Sequence, residues 1–161
     1  MNISVQITGA QMKRLRGLLS SPAVQDAAKR GLLVAAMRGR TRAVTLSARR
    51  RKVDTGRFRN SWKAERIAQG AVLLNSAPYA AVIEGGRRPG ARMPPLGPIE
   101  AWARRKGIDI PAFVIARAIA RRGIPGAFIL RDTLPVVQKA VKREVSSAVR
   151  AALASLTGGT P

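Results

Sequence analysis

The sequence predicts an α+β fold, a small antiparallel sheet flanked by a long N-terminal helix and a long C-terminal helix, and three observations point to it. Apolar residues recur at helical spacing from Pro22 to about Arg50, at Val24, Ala27, Ala28, Leu32, Ala35, Ala36, Ala43 and Leu46. A second stripe, Val137, Val141, Val145, Ala148, Ala152 and Leu156, marks one face of a helix expected from about Leu134 to Leu156. Between the two, residues 62–67 and 71–75 read as strands joined at Gln69-Gly70, a hairpin signal. A chain of 161 residues makes one domain over residues 1–156 the default, with 157–161 as a loose tail.

The remaining elements follow in order. Ile3, Val5 and Ile7 alternate with polar residues, the period of a half-buried strand. Thr8 can cap a short helix to about Leu19, and Ser20-Ser21-Pro22 breaks it, with Ser21 as N-cap and Pro22 as first residue of the long helix. Gly31 and Gly39 each weaken that helix by about 1 kcal/mol relative to Ala, so a bend or break is expected near one of them. After Arg49-Arg50-Arg51-Lys52, Asp54 or Thr55 can cap a helical turn over residues 57–61. Residues 78–84 suit a short helix ended by Gly85-Gly86. Residues 87–98 hold four Pro, two Gly and three Arg and read as a loop. Helices are expected over about 98–106 and 111–122, stopped by Gly107 and Gly123, and residues 124–129 as a turn into an apolar anchor. Trp62, Tyr79, Trp102, Phe113 and Phe128 lie in apolar surroundings and are assigned to the core, whereas Phe58 is interleaved with Arg57 and Arg59.

Charge narrows the function. Thirty Lys and Arg against eight Asp and Glu leave +22, far beyond what solubility requires, while 46% apolar residues exclude a disordered basic tail. The absence of Cys and His removes thiolate metal sites, the commonest metal ligand and the usual general base. The closest two carboxylates, Glu100 and Asp109, are nine residues apart, so no local acidic cluster offers itself to Mg²⁺. No enzyme activity, metal or cofactor is expected; a nuclease assembled from distant carboxylates ranks third among the readings. No run approaches eighteen apolar residues and the first eight residues lack a signal-peptide layout, which makes the cytoplasm the expected place of assembly.

Arg38, Arg42, Arg49, Arg50, Arg51 and Lys52 fall in a stretch, between Asp26 and Asp54, that contains no acid. A solvated helix face would carry Glu at i,i+4, so an anionic partner is expected, and nucleic-acid phosphate fits. Such contacts position a backbone and read no bases. Residues 84–90 lack the Gly-Lys-Ser/Thr ending of a phosphate-cradling loop and read as surface.

The order of the pieces is more telling than any one. Asp54-Thr55-Gly56-Arg57-Phe58-Arg59-Asn60-Ser61 precedes a hairpin, then Ala77-Pro78-Tyr79-Ala80-Ala81-Val82-Ile83-Glu84-Gly85-Gly86, Pro94-Pro95, an Ile99-x-x-Trp102 helix ending at Lys106-Gly107, and Ile124-Pro125-Gly126-Ala127-Phe128. This order resembles the tail-completion or neck (head-to-tail joining) proteins of tailed bacteriophages, including minor tail proteins of lambda-like siphophages, over about residues 50–140. It departs from the common pattern in Gly86, in the longer Arg-rich stretch after Glu84 and in an inserted helix around residues 111–122.

The resemblance implies a strongly twisted sheet and a structural virion protein of the neck, a homo-oligomeric ring, commonly of six. Its implied neighbours are the portal-side head-closure or connector protein and the tail terminator or tail tube protein, with viral double-stranded DNA threaded through. In that frame Arg38, Arg42, Arg49, Arg50, Arg51 and Lys52 contact the DNA backbone in the lumen. Tyr79, Glu84, Arg87, Arg88, Arg92, Met93 and Leu96 are assigned to a subunit or ring interface, and Gly56, Gly85, Gly86, Pro125 and Gly126 to structural turns. The alternative is a free, sequence-independent nucleic-acid-binding protein of ribosomal or chromatin-like type.

Overall fold

The computed structural model describes residues 17–52 and 54–158. The strand expected at residues 3–7, most of the helix ending near Leu19, and residues 159–161 of the tail lie outside them. In chain order the elements are α1 (Pro22–Arg49), α2 (Arg57–Asn60), β1 (Trp62–Ile67), β2 (Gly70–Asn75), α3 (Ala80–Gly85) and β3 (Gly86–Arg87). Then follow α4 (Leu96–Lys106), α5 (Ala112–Arg122), β4 (Ile124–Pro125) and α6 (Ile129–Leu156). The fold is α+β as expected, with a long helix towards each end and a hairpin between. Among the described residues no helix is long and apolar enough to cross a membrane.

The chain packs as two compact units, each drawn from separated stretches. Of the described residues, the first takes those within Met1–Arg40, Lys63–Leu73 and Pro135–Pro161, and the second those within Thr41–Trp62 and Leu74–Leu134.

In the first unit the N-terminal part of α1 packs on α6. Ser21 opens α1 as expected, its Oγ accepting the Val24 amide hydrogen at 3.3 Å. The helix runs unbroken through Gly31 and Gly39, and Gly31 serves packing. A Cβ there would lie 2.8 Å from Val145 Cα and 2.9 Å from the Glu144 carbonyl oxygen, so only a hydrogen lets the two backbones approach this closely. Val24, Ala27, Ala35 and Ala36 of α1 and Ala140 of α6 are buried, a core of small side chains. Glu144 receives Arg38 at 3.0 Å and Arg143 at 2.8 Å.

In the second unit Ser47 Oγ donates to the Ala43 carbonyl at 2.7 Å and accepts from Trp62 Nε1 at 3.1 Å, so both buried polar groups are satisfied. Phe58 meets Trp62 edge to face, ring centroids 5.8 Å apart. Asn75 then ties the hairpin's end to the turn before it: its Nδ2 donates to the Phe58 carbonyl at 2.9 Å and its Oδ1 accepts from the Ala77 amide at 3.0 Å.

Several expectations need correction. The sheet is two separate two-stranded ribbons, β1 with β2 and β3 with β4. β3–β4 was not foreseen: Gly86 pairs antiparallel with Pro125 and Arg87 with Ile124, where a turn was expected. Gly86, at φ 76°, permits it, since a Cβ there would collide with the Ile124 carbonyl. The helical turn at residues 57–60 has Gly56 at its N-cap position, and of the two expected capping side chains Thr55 Oγ1 accepts the Arg57 amide hydrogen at 3.5 Å. α6 starts at Ile129, five residues before the expected Leu134, and holds Pro135 inside it. Of the aromatics assigned to the core only Trp62 is buried; Tyr79, Trp102, Phe113 and Phe128 are 36–51% exposed, while Phe58 is buried.

Candidate functional site

The basic run at the end of α1 divides into cations bonded to acids of the same chain and cations with no acid partner among the described residues. Arg50 is held: it donates through one Nη to the Ala127 carbonyl and through the other to Asp132 Oδ2 at 2.5 Å. Its guanidinium holds the Asp132 carboxyl below the usual carboxylate range, with Arg131 adding to the effect. Arg38, in the first unit, is engaged with Glu144, whose carboxyl is lowered chiefly by Arg143 and further by Arg38. The acids missing locally between Asp26 and Asp54 therefore arrive from α6 for these two arginines. Arg42 is half-buried, and its Nε is buried without a hydrogen-bond partner. Arg49 and Arg51 are exposed and Lys52 half-buried. Arg51 takes φ 53°, ending the helix in the left-handed conformation usually left to glycine, and its amide hydrogen bonds back to the Ala48 carbonyl at 2.9 Å.

Arg51 and Lys52 then enter the wall of a cleft of about 610 Å³ in the second unit. Arg57 from α2 and Arg105 and Lys106 from the end of α4 complete its cationic rim, with Asp54 and Thr55 between them. Phe58, Ile83 and Pro98 line it together with Tyr79 and Trp102, which are 39% and 36% exposed. The placement has local causes. Gly107, in the left-handed conformation, closes α4 just after Arg104, Arg105 and Lys106, whose charges suit a helix C-terminus. Trp102 lies on the same helix as the buried Ala103, so α4 packs by a small residue and leaves its indole at the cleft. Asp54 Oδ2 accepts from Arg105 at 2.5 Å and Asp54 Oδ1 lies 3.6 Å from Lys106 Nζ, and the Arg105 hydrogen bond is the main reason its carboxyl is lowered.

The residues assigned to an interface separate likewise. Both carboxylate oxygens of Glu84 are occupied within the chain, accepting the amide hydrogens of Leu130 and Arg131 at 3.0 Å each. Glu84 thus caps the N-terminus of α6, where a carboxylate also meets the positive end of the helix dipole. Tyr79 belongs to the cleft, contrary to its assignment to the core, and α3 buries none of its residues. Arg87 donates to the Arg92 carbonyl and the Gly90 amide hydrogen bonds to the Ala120 carbonyl at 2.7 Å, so the segment after β3 is tied down. Arg88, Arg92, Met93 and Leu96 are exposed. Gly85 closes α3 and Gly86 turns the chain into β3, while Pro125 pairs with Gly86 in the ribbon and Gly126 follows it, where a Cβ would lie 2.7 Å from the Glu84 carbonyl oxygen.

Of the cleft's lining, sequence reasoning singled out Arg51 and Lys52 as DNA contacts and Tyr79 as an interface residue, and missed Arg57, Trp102, Arg105 and Lys106; the one available signal for the last three was the spacing of Trp102 from the Arg-Arg-Lys end of its own helix. Chemically the cleft can bind anions and bury an apolar group. Among the described residues no three acidic side chains gather as a metal site. Comparison of the chain with family models, with curated proteins and with solved structures gives no significant match in any of the three.

Proposed function

We propose that the protein is a structural component of the neck of a tailed phage, a homo-oligomeric ring that joins tail to head and touches the passing duplex through phosphates alone. The observation that carries this reading is how the blocks behind the resemblance are used. The Gly56–Ser61 turn is bound to the hairpin through Asn75, and the Ala127 and Phe128 amides donate to the carbonyls of Ile83 and Glu84 at 2.8 and 3.1 Å. Arg50 reaches the same Ala127 carbonyl from the end of α1. The distinctive residues are thus engaged in architecture, as suits a part whose work is to hold shape. Arg49, Arg51 and Lys52 form no ion pair with a carboxylate among the described residues, Asp54 being bound to Arg105 and Lys106, which supports contact with DNA phosphate.

The test is anisotropy of unrelated duplexes titrated with the full chain over a range of salt. Affinity is expected to be equal for all sequences and to fall with salt at a log–log slope of about −0.9 per phosphate neutralised; replacing Arg49, Arg51 and Lys52 by Ala flattens that slope by about 2 to 3. Strong sequence selection, or binding insensitive to salt, would count against the proposal, as would a chain that stays monomeric and prefers RNA.

A further inference from the structure

The cleft of the second unit shares Arg51 and Lys52 with the proposed duplex contact, and its other lining residues have no part in that contact. Its rim carries five cations, Arg51, Lys52, Arg57, Arg105 and Lys106, and one acid, Asp54. Asp54 is committed to Arg105 and Lys106, and no carboxylate of the described residues pairs with Arg51, Lys52 or Arg57. Cations gathered around a concavity raise the local concentration of anions. Below the rim the lining is Phe58, Ile83 and Pro98 with the partly exposed Tyr79 and Trp102, and the volume of about 610 Å³ exceeds what a flat phosphate contact would fill.

We infer that this cleft is a receptor for an acidic peptide segment of a partner protein that inserts one large apolar side chain between Tyr79 and Trp102. The walls decide between this occupant and an unstacked nucleotide. A base carries donors and acceptors around its edge, and each one left unpaired on burial is costly. Thr55 and the Tyr79 hydroxyl are the neutral polar groups available, with no Asn or Gln in the lining. A Phe or Leu side chain leaves nothing unpaired and gains from apolar burial. For the flanking carboxylates the chain displays the chemistry itself: Arg105 donates from both Nε, at 3.2 Å, and Nη2, at 2.5 Å, to Asp54 Oδ2. A partner's Asp or Glu would meet Arg51, Lys52 and Arg57 in the same way.

The experiment titrates the full chain with labelled peptides in which Glu residues flank one central Ala, Leu or Phe. The Leu and Phe peptides are expected to bind about tenfold or more tighter than the Ala peptide, the range given by burying one such side chain. Trp102→Ala should erase that difference and leave the Ala peptide's affinity unchanged. Arg57→Ala should weaken all three peptides several-fold, whereas Asp54→Asn, by releasing Arg105 and Lys106, should tighten all three. Equal affinity of the Phe and Ala peptides for the unaltered chain would overturn the inference without recourse to any variant. So would an oligothymidylate of matched charge that displaces the Phe peptide and itself depends on Trp102.

Discussion

Glu84 lies on a six-residue helix and closes a helix of 28 residues, because both its oxygens accept amide hydrogens from the first turn of α6. Removing them leaves two donors to water, so Glu84→Ala should cost about 1 kcal/mol, with an upper bound of about 2, read as a lower urea midpoint at unchanged slope. Glu84→Gln keeps an acceptor and should cost less. A second test falls on Arg51, whose φ of 53° suits glycine and penalises a β-branched side chain. Arg51→Val should therefore be less stable than Arg51→Gly by about 1 kcal/mol or more, although both lose the same charge; equal midpoints would mean that the left-handed end of α1 is not strained. At this scale the sequence was readable for residue type and not for partner. Arg38 and Arg50 appear uncompensated when only i,i+4 neighbours are searched, yet Glu144 and Asp132 supply their counter-charges from the far end of the chain.

Elements with a strong period or a capping signal were legible, and those without were not. The Ser21-Pro22 start of α1, the hairpin strands and the glycine stops of α4 and α5 all fall close to where local chemistry puts them. β3 and β4 are two residues each, too short to carry a period, and they exist through a tertiary pairing that Gly86 permits. α6 was started too late because Pro135 looks like a first helical residue, whereas Glu84, far away in sequence, caps the real start. Gly31 misled in the opposite direction, since propensity reads it as a weakness and the packing needs it. Gly31→Ala gains about 1 kcal/mol of helix propensity but drives a Cβ into the backbone of α6, which cannot yield as a side-chain tip can. A net loss of about 1 kcal/mol or more is predicted by thermal or urea unfolding, and a stabilised variant would mean that the helices do not approach so closely. The candidate site was legible only in Arg51 and Lys52, which lie in the acid-free basic run, and in Tyr79 as an interface residue; Arg57, Trp102, Arg105 and Lys106 are brought to them only by the fold, and apolar neighbours in sequence do not establish burial.

Across the whole molecule the net charge of +22 sets the response to solvent. Asp54, Asp132 and Glu144 all titrate below the ordinary carboxylate range because arginines bond their charged forms. A carboxyl lowered on folding contributes stability above its unfolded pKa, and that contribution is lost as pH falls through the folded value. The melting temperature should thus hold through neutral pH and drop on acidification below the ordinary carboxylate range, when these pairs break and the positive charge is no longer offset. Added salt should raise the melting temperature near neutral pH by screening that charge. The chain would then be most stable beside a polyanion, which is what the proposed ring around DNA supplies. Electron cryo-microscopy of tailed-phage virions that incorporate the chain tests this proposal most directly. The account predicts a ring of this chain between the portal-side connector and the tail tube, with Arg49 and Arg51 turned towards the DNA. Its absence from the neck, or a ring with those arginines on the outer surface, would contradict it.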